Sequence, residues 1–408
     1  MNSPERALRR ALANEDARAN GEDERRARRK ESLKRLKVKT IVRESDLKGI
    51  THCEYAHESA RCENLFATCG ESLVTIYDDE HFGDHVSAIA QYAHDGKVAT
   101  VAWIRTPVSA NDGQENALRT KGKIKAKGNA KTNASAWVHE FGDAALAVGD
   151  ERGVIVVISV ASNRVVARID AHVGAVVDMS GAGANDGVLV SLGADGVMKV
   201  WNVFGGDDGE GECLGEYLAP AGVSVACKAD GLGAITGHRG GEVMDWTFAK
   251  GGKPEKSSTL AFQTPFGRYD VDCVRVVNDV VYAKTVNMCF GTFDLSRKQP
   301  LKSWVVPNRE SGKAASLTRT RFGVTSDGRF LACGDGSSSG VVYTYDALEG
   351  ELVGELAPLR VTGIVRAAHV ADHCRHVLAS YGPGVLWRYE IIPDVDAVAA
   401  FAVDDDDD

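Results

Sequence analysis

Residues 188–203 read VLVSLGADGVMKVWNV, preceded at 170–174 by DAHVG. Apolar residues alternate through Val188, Val190 and Leu192, then again through Met198, Val200 and an aromatic-Asn ending, Trp201-Asn202. Ala194-Asp195-Gly196 interrupts the two runs. That pattern predicts two antiparallel strands joined by a tight turn. The polar residues predict more. A histidine, a serine and an indole N–H inside an apolar unit each need a partner once water is excluded. The spacing predicts one chain of bonds, from Asp195 in the turn to His172 in the preceding loop, then Ser191, then Trp201. A Ser-His-Asp catalytic reading is set aside, because no GxSxG elbow surrounds Ser191. The four residues are structural.

Working outward, the same strand-turn-strand unit recurs along the chain. It appears as LFATCGESLVTIYD (65–78), ALAVGDERGVIVVISV (145–160), LGAITGHRGGEVMDWTF (232–248) and DVVYAKTVNMCFGTFDL (279–295). It closes with FLACGDGSSSGVVYTYDAL (330–348) and HVLASYGPGVLWRYEI (376–391). Recurrence at roughly 40–50 residues marks a ring of four-stranded blades, since one blade cannot cover both of its faces and neighbours must bury them. The fold expected is all-β, a seven-bladed WD-repeat β-propeller over 39–395. KTIVRE (39–44) is a short strand placed to pair beside the last unit and latch the ring.

The flanks have another character. Residues 1–38 are net basic with few apolar side chains and are expected to form a disordered arm; 396–408 form an acidic tail ending in Asp404–Asp408. Residues 107–136, within one unit, read as a disordered polar insertion carrying Lys121, Lys123, Lys125, Lys127 and Lys131. The arm suits nuclear import or phosphate contact, so weak nucleic-acid contact is open to it, although a plain solvated tail has the same composition. The net charge is −9 and 44% of residues are hydrophobic. No apolar run approaches the ~18 residues of a membrane span, and the start has no secretory h-region. No membrane role is expected. Nine cysteines occur without a CxxC pair. The cluster Cys53, Cys62 and Cys69 near His52 and His57 lacks metal-ligand spacing. No metal or cofactor is expected, and free cysteines suit a reducing compartment.

With the repeats in register, the chain resembles the extra-sex-combs/EED family of WD-repeat proteins over about 46–391. FATCGESLVTIYD (66–78) and LAVGDERGVIVVISVASNRVVARIDAHVGAVVDM (146–179) are similar to its early blades, and YDVDCVRVVNDVVYAK (269–284) is the most specific stretch. The resemblance implies a nuclear scaffold subunit of a Polycomb-type histone methyltransferase complex, supporting histone H3 lysine methylation and gene repression. It implies a SET-domain methyltransferase subunit gripped on one face. It also implies histone tails at the other, where the family holds a trimethyl-lysine in an aromatic cage by cation–π attraction. Here the sequence departs. The cage positions carry Lys48, Ala99, Thr318 and Arg319, none aromatic and two cationic, so reading of methyl-lysine by that cage is not expected. Asp272 and Arg275, in the most family-like stretch, are candidates for partner contact; the plainer alternative is that they pair with each other or with a turn at a blade edge.

Two other function classes remain. One is a WD scaffold of a different assembly, such as a ubiquitin-ligase substrate receptor or an origin-associated chromatin factor. The other is a propeller enzyme, but Asp78, Asp150, Asp195 and Asp335 sit in turns, where Asp normally caps its own backbone. The expectation is a non-enzyme.

Overall fold

The computed structural model describes residues 21–43, 49–56, 65–79, 87–106, 144–183, 187–206, 209–248, 254–263, 266–307, 319–357, 363–382 and 384–392. They are nearly all β, with 28 strands and a single helix among the described residues. Five four-stranded sheets follow in chain order: A (52–93), B (98–170), C (176–218), D (222–259) and E (273–305). Each is a simple antiparallel meander in which every strand pairs with the next. Sheets F (321–356) and G (365–391) form one eight-stranded sheet, joined through a parallel pairing of Arg321–Val324 with Val365–Val370.

The first strands of successive sheets lie against one another, A beside B and so on to F beside G, and that of G lies against A again. Buried apolar clusters fill the spaces between the sheets. Leu146, Val156 and Trp103 of B pack on Leu65 and Ile76 of A; Leu189 and Trp201 of C pack on Ile155 and Val157 of B. The series continues between C and D, D and E, E and F, and F and G. Ile50, Tyr55 and Phe66 meet Leu378 and Leu386 between G and A. One cluster thus separates each adjoining pair, which is the arrangement a sheet with two apolar faces requires. The whole is compatible with an all-β propeller.

The ends of the described chain meet. Leu36–Arg43 pairs antiparallel with Val385–Ile391, from Leu36↔Ile391 to Arg43↔Val385, and supplies the fourth strand of G. This strand starts three residues earlier than the sequence suggests.

The arm is a correction. Residues 22–35, expected to be disordered, form helix α1 (Glu22–Arg35). Acidic residues occupy its first turn and Lys34 and Arg35 its last, both favourable to the helix dipole. It has no apolar stripe, which is why composition hides it. Its single buried side chain, Leu33, enters the core between F and G, and full burial of a leucine contributes about 1.5–3 kcal/mol. Cations do the rest. Arg26 Nε lies 2.8 Å and Lys30 Nζ 3.2 Å from the buried Asp346 carboxylate. Arg29 pairs with Asp327 and lies 4.7 Å over the Phe330 ring. Residues 1–20, the insertion at 107–136 and the acidic tail lie outside the described residues.

Candidate functional site

Two constellations of polar side chains stand out, one inside sheet C and one on the axis between the first strands. In sheet C, Ser191 lies on the strand Val188–Gly193 and Trp201 on Val197–Asn202. His172 Nδ1 lies 3.2 Å from Asp195 Oδ2, and His172 Nε2 lies 2.7 Å from Ser191 Oγ. Trp201 Nε1 donates to the same Oγ at 2.9 Å. Asp195 also accepts from the backbone N–H of Val173 and Val197. Gly193 is needed for this packing, because a Cβ there would meet the His172 ring at 2.4 Å. Burial pushes the His172 imidazole below its usual range against the pull of Asp195. The ring is therefore neutral, donates from Nδ1 to Asp195 and accepts the Ser191 hydroxyl at Nε2. Ser191 is fully buried, with its oxygen already committed to the indole. A nucleophile needs access to a substrate carbonyl; this serine has none, and the group is a structural tie.

Sheet D carries a shorter version that the sequence reading overlooks. Trp246 Nε1 donates to Thr236 Oγ1 at 2.7 Å, Thr236 Oγ1 lies 2.7 Å from His238 Nε2, and His238 Nδ1 reaches the Pro220 carbonyl. The histidine comes from the second strand itself instead of the preceding loop, so the spacing used for sheet C does not find it.

On the axis the candidates separate. Asp272 is not on an exposed face: it is buried, with Lys284 Nζ 2.6 and 2.7 Å from its two carboxylate oxygens. It also accepts from the Thr320 backbone N–H at 3.0 Å, tying sheet E to the entry of sheet F. Arg275 reaches sheet A and the carbonyl of its own neighbour, Val274. Its Nη2 lies 3.4 Å from Glu54 Oε2 of sheet A.

Arg319, at one of the four positions that the family resemblance assigns to a cage, crosses the axis. Its Nη1 donates to the Val177 carbonyl at 2.8 Å, its Nε to the Asp272 carbonyl at 3.0 Å, and its Nη2 lies 3.1 Å from Asp178 Oδ2. Arg321 Nη2 lies 2.8 Å from Asp178 Oδ1 and 3.3 Å from Thr100 Oγ1 of sheet B. Asp178 also accepts from the Val225 N–H of sheet D. Although burial opposes ionisation, Arg321 and Arg319 hold the Asp178 carboxyl well below the usual carboxylate range. Thr100 in turn lies 3.3 Å from His52 Nδ1. First strands and adjoining loops from A to F are thus tied across the axis by one polar network. A guanidinium turned inward lies where the family resemblance would place a cage ring. Ala99 is half-buried on Val98–Arg105, while Lys48 and Thr318 lie outside the described residues.

Asp178 and Arg321 were missed as a site. The available signal was a charge embedded in an apolar inner strand, VVDMSG and RFGV, which demands a partner. Among the described residues no group of three or more His, Cys, Asp or Glu is placed to hold a metal ion, and no helix is long and apolar enough to cross a membrane. Cys53 and Cys69 are buried, and Cys62 and His57 lie outside the described residues. No protein-family model matches the chain, and no curated protein matches it.

Proposed function

We propose that the chain is a non-catalytic, seven-bladed WD-repeat propeller acting as a nuclear scaffold in a Polycomb-type histone methyltransferase complex, where it supports histone H3 lysine methylation and gene repression. The ring reading is supported by the return of neighbour contacts from sheet G to sheet A and by the latch of Leu36–Arg43 on Val385–Ile391. The scaffold reading is supported by the burial of Ser191 in the Ser-His-Asp constellation of sheet C. The assembly itself rests on the resemblance at 269–284. That stretch builds the first hairpin of sheet E and contains both members of the Asp272–Lys284 lock.

The observation that carries the ligand side of the proposal is Arg319 on Asp178. A guanidinium at that place repels a methyl-ammonium, so a histone peptide should bind with no dependence on lysine methylation. The experiment for the assembly is affinity purification of the full chain. Recovery of a SET-domain methyltransferase subunit supports it, and a clean absence contradicts it. The altered cage positions also favour a second reading, a WD scaffold of another assembly, and the same purification would identify those partners.

A further inference from the structure

At the opposite end of the inner strands from Arg319 lies a cavity of about 370 Å³, within the size range of small-ligand sites. Every sheet contributes to its lining, with Glu54 from A, Trp103 from B, Cys227 from D, Arg275 from E and His369 from G among the walls. Its chemistry is set by Glu54. One carboxylate oxygen, Oε2, accepts from Arg275 Nη2 at 3.4 Å and lies 2.9 Å from His52 Nε2. The Val101 N–H donates to His52 Nδ1, which places the ring proton on Nε2. Burial first, then Arg321 and Arg275, holds this imidazole well below its usual range, so it brings no positive charge to Glu54. The other oxygen, Oε1, has no partner among the described residues, and Glu54 lines the cavity.

The remaining lining charges point the same way. Three carboxylates, Glu54, Asp230 and Asp279, face two cations, Arg275 and Lys228. Both cations are already paired, Lys228 with Asp245 at 2.6 Å and Arg275 with Glu54 at 3.4 Å. Asp279 sits on an exposed two-residue turn with Asn278, both at positive φ (62° and 48°), which sets it on the rim. An anion entering here would meet Glu54 and Asp279; a cation with N–H donors could bond Glu54 Oε1. A partly enclosed, largely apolar wall strengthens such a charge-assisted bond.

We propose that this cavity binds an organic cation carrying N–H donors, a guanidinium or a primary ammonium, with its head group on Glu54 Oε1. Its chemistry stands apart from the assembly the chain joins. The cation is either a free small molecule or an arginine or lysine side chain of a peptide, and the test separates them. The full chain is titrated calorimetrically with n-butylguanidinium and n-butylammonium, with the peptide acetyl-Gly-Arg-Gly-amide, and with N-butylurea as the neutral isostere of the guanidinium. The expected result is saturable binding of a cationic probe and none of N-butylurea. Glu54→Gln should weaken it at least about tenfold, the usual scale for a hydrogen bond to a charged group. Asp279→Asn, on the exposed rim, should weaken it about twofold to fivefold with an unchanged melting temperature. It carries the test if the first variant does not fold. Equal affinity for free and peptide cations indicates a small-molecule ligand, and tighter peptide binding indicates a side chain; both uphold the assignment. No saturable binding of any cation, equal binding of N-butylurea, or affinity unchanged in the variants would overturn it.

Discussion

Sheets C and E perform the same task with different chemistry. Each must tie the loop before its first strand to its second strand. Sheet C does so with hydrogen bonds around a neutral imidazole, His172 between Asp195 and Ser191, extended to Trp201. Sheet E does so with a fully buried ion pair, Lys284 on both oxygens of Asp272, extended by the Thr320 N–H to sheet F. The difference teaches where each tie is fragile. A hydrogen-bonded chain that loses one member leaves dipoles unpaired. A buried ion pair that loses one member leaves a whole charge unpaired in low dielectric, which is far more costly.

The largest effect should therefore come from sheet E. Asp272→Ala, which strands Lys284, should lower unfolding stability by about 3–5 kcal/mol. Asp272→Leu combined with Lys284→Met should recover most of that loss in urea melts. If the double variant is as unstable as the single, the pair is not the lock described here. In sheet C, Ser191→Ala leaves His172 Nε2 and the Trp201 indole without their shared partner and should cost about 1–3 kcal/mol. A loss matching that of Asp272→Ala would erase the contrast between the two ties.

The smallest effect separates them by pH. Burial depresses the folded-state pKa of His172 below 6.5, and the backbone N–H groups of Val197 and Val173 together with His172 depress Asp195 despite its partial burial. For both groups the unfolded chain binds more protons, so their stabilisation is present above the unfolded pKa and is lost as pH falls through the folded one. For His172 the loss begins below 6.5. Between about pH 7 and about pH 5 the wild type should lose more stability than His172→Gln, which has no imidazole at this site. Parallel pH profiles would show that the ring is not held neutral.

Legibility followed sequence distance. The sheet C tie was readable because its four members fall within thirty residues of one repeat and each needs a partner once buried. Asp272 was noticed, but Lys284 closes the apolar strand VVYAK and nothing local says that its ammonium turns inward onto that carboxylate. Asp178 and Arg321 are paired across the axis from different sheets, and a single chain carries no signal of such a pairing beyond the oddity of a charge in an apolar strand. Helix α1 escaped notice because it is held by Arg26, Arg29 and Lys30 and one leucine, whereas an amphipathic stripe is what periodicity detects. The latch strand was legible because a ring of sheets needs its edge covered and KTIVRE is a short strand-like stretch that precedes the first unit.

The central claim is that the chain closes on itself, with its first described strand completing its last sheet. Hydrogen exchange of the full chain, followed by mass spectrometry of peptides covering 36–43 and 385–391, tests it most directly. Closure predicts that both segments are protected and exchange together through one common opening. Exchange of 36–43 at the rate of a free chain, beside a protected 385–391, would contradict it.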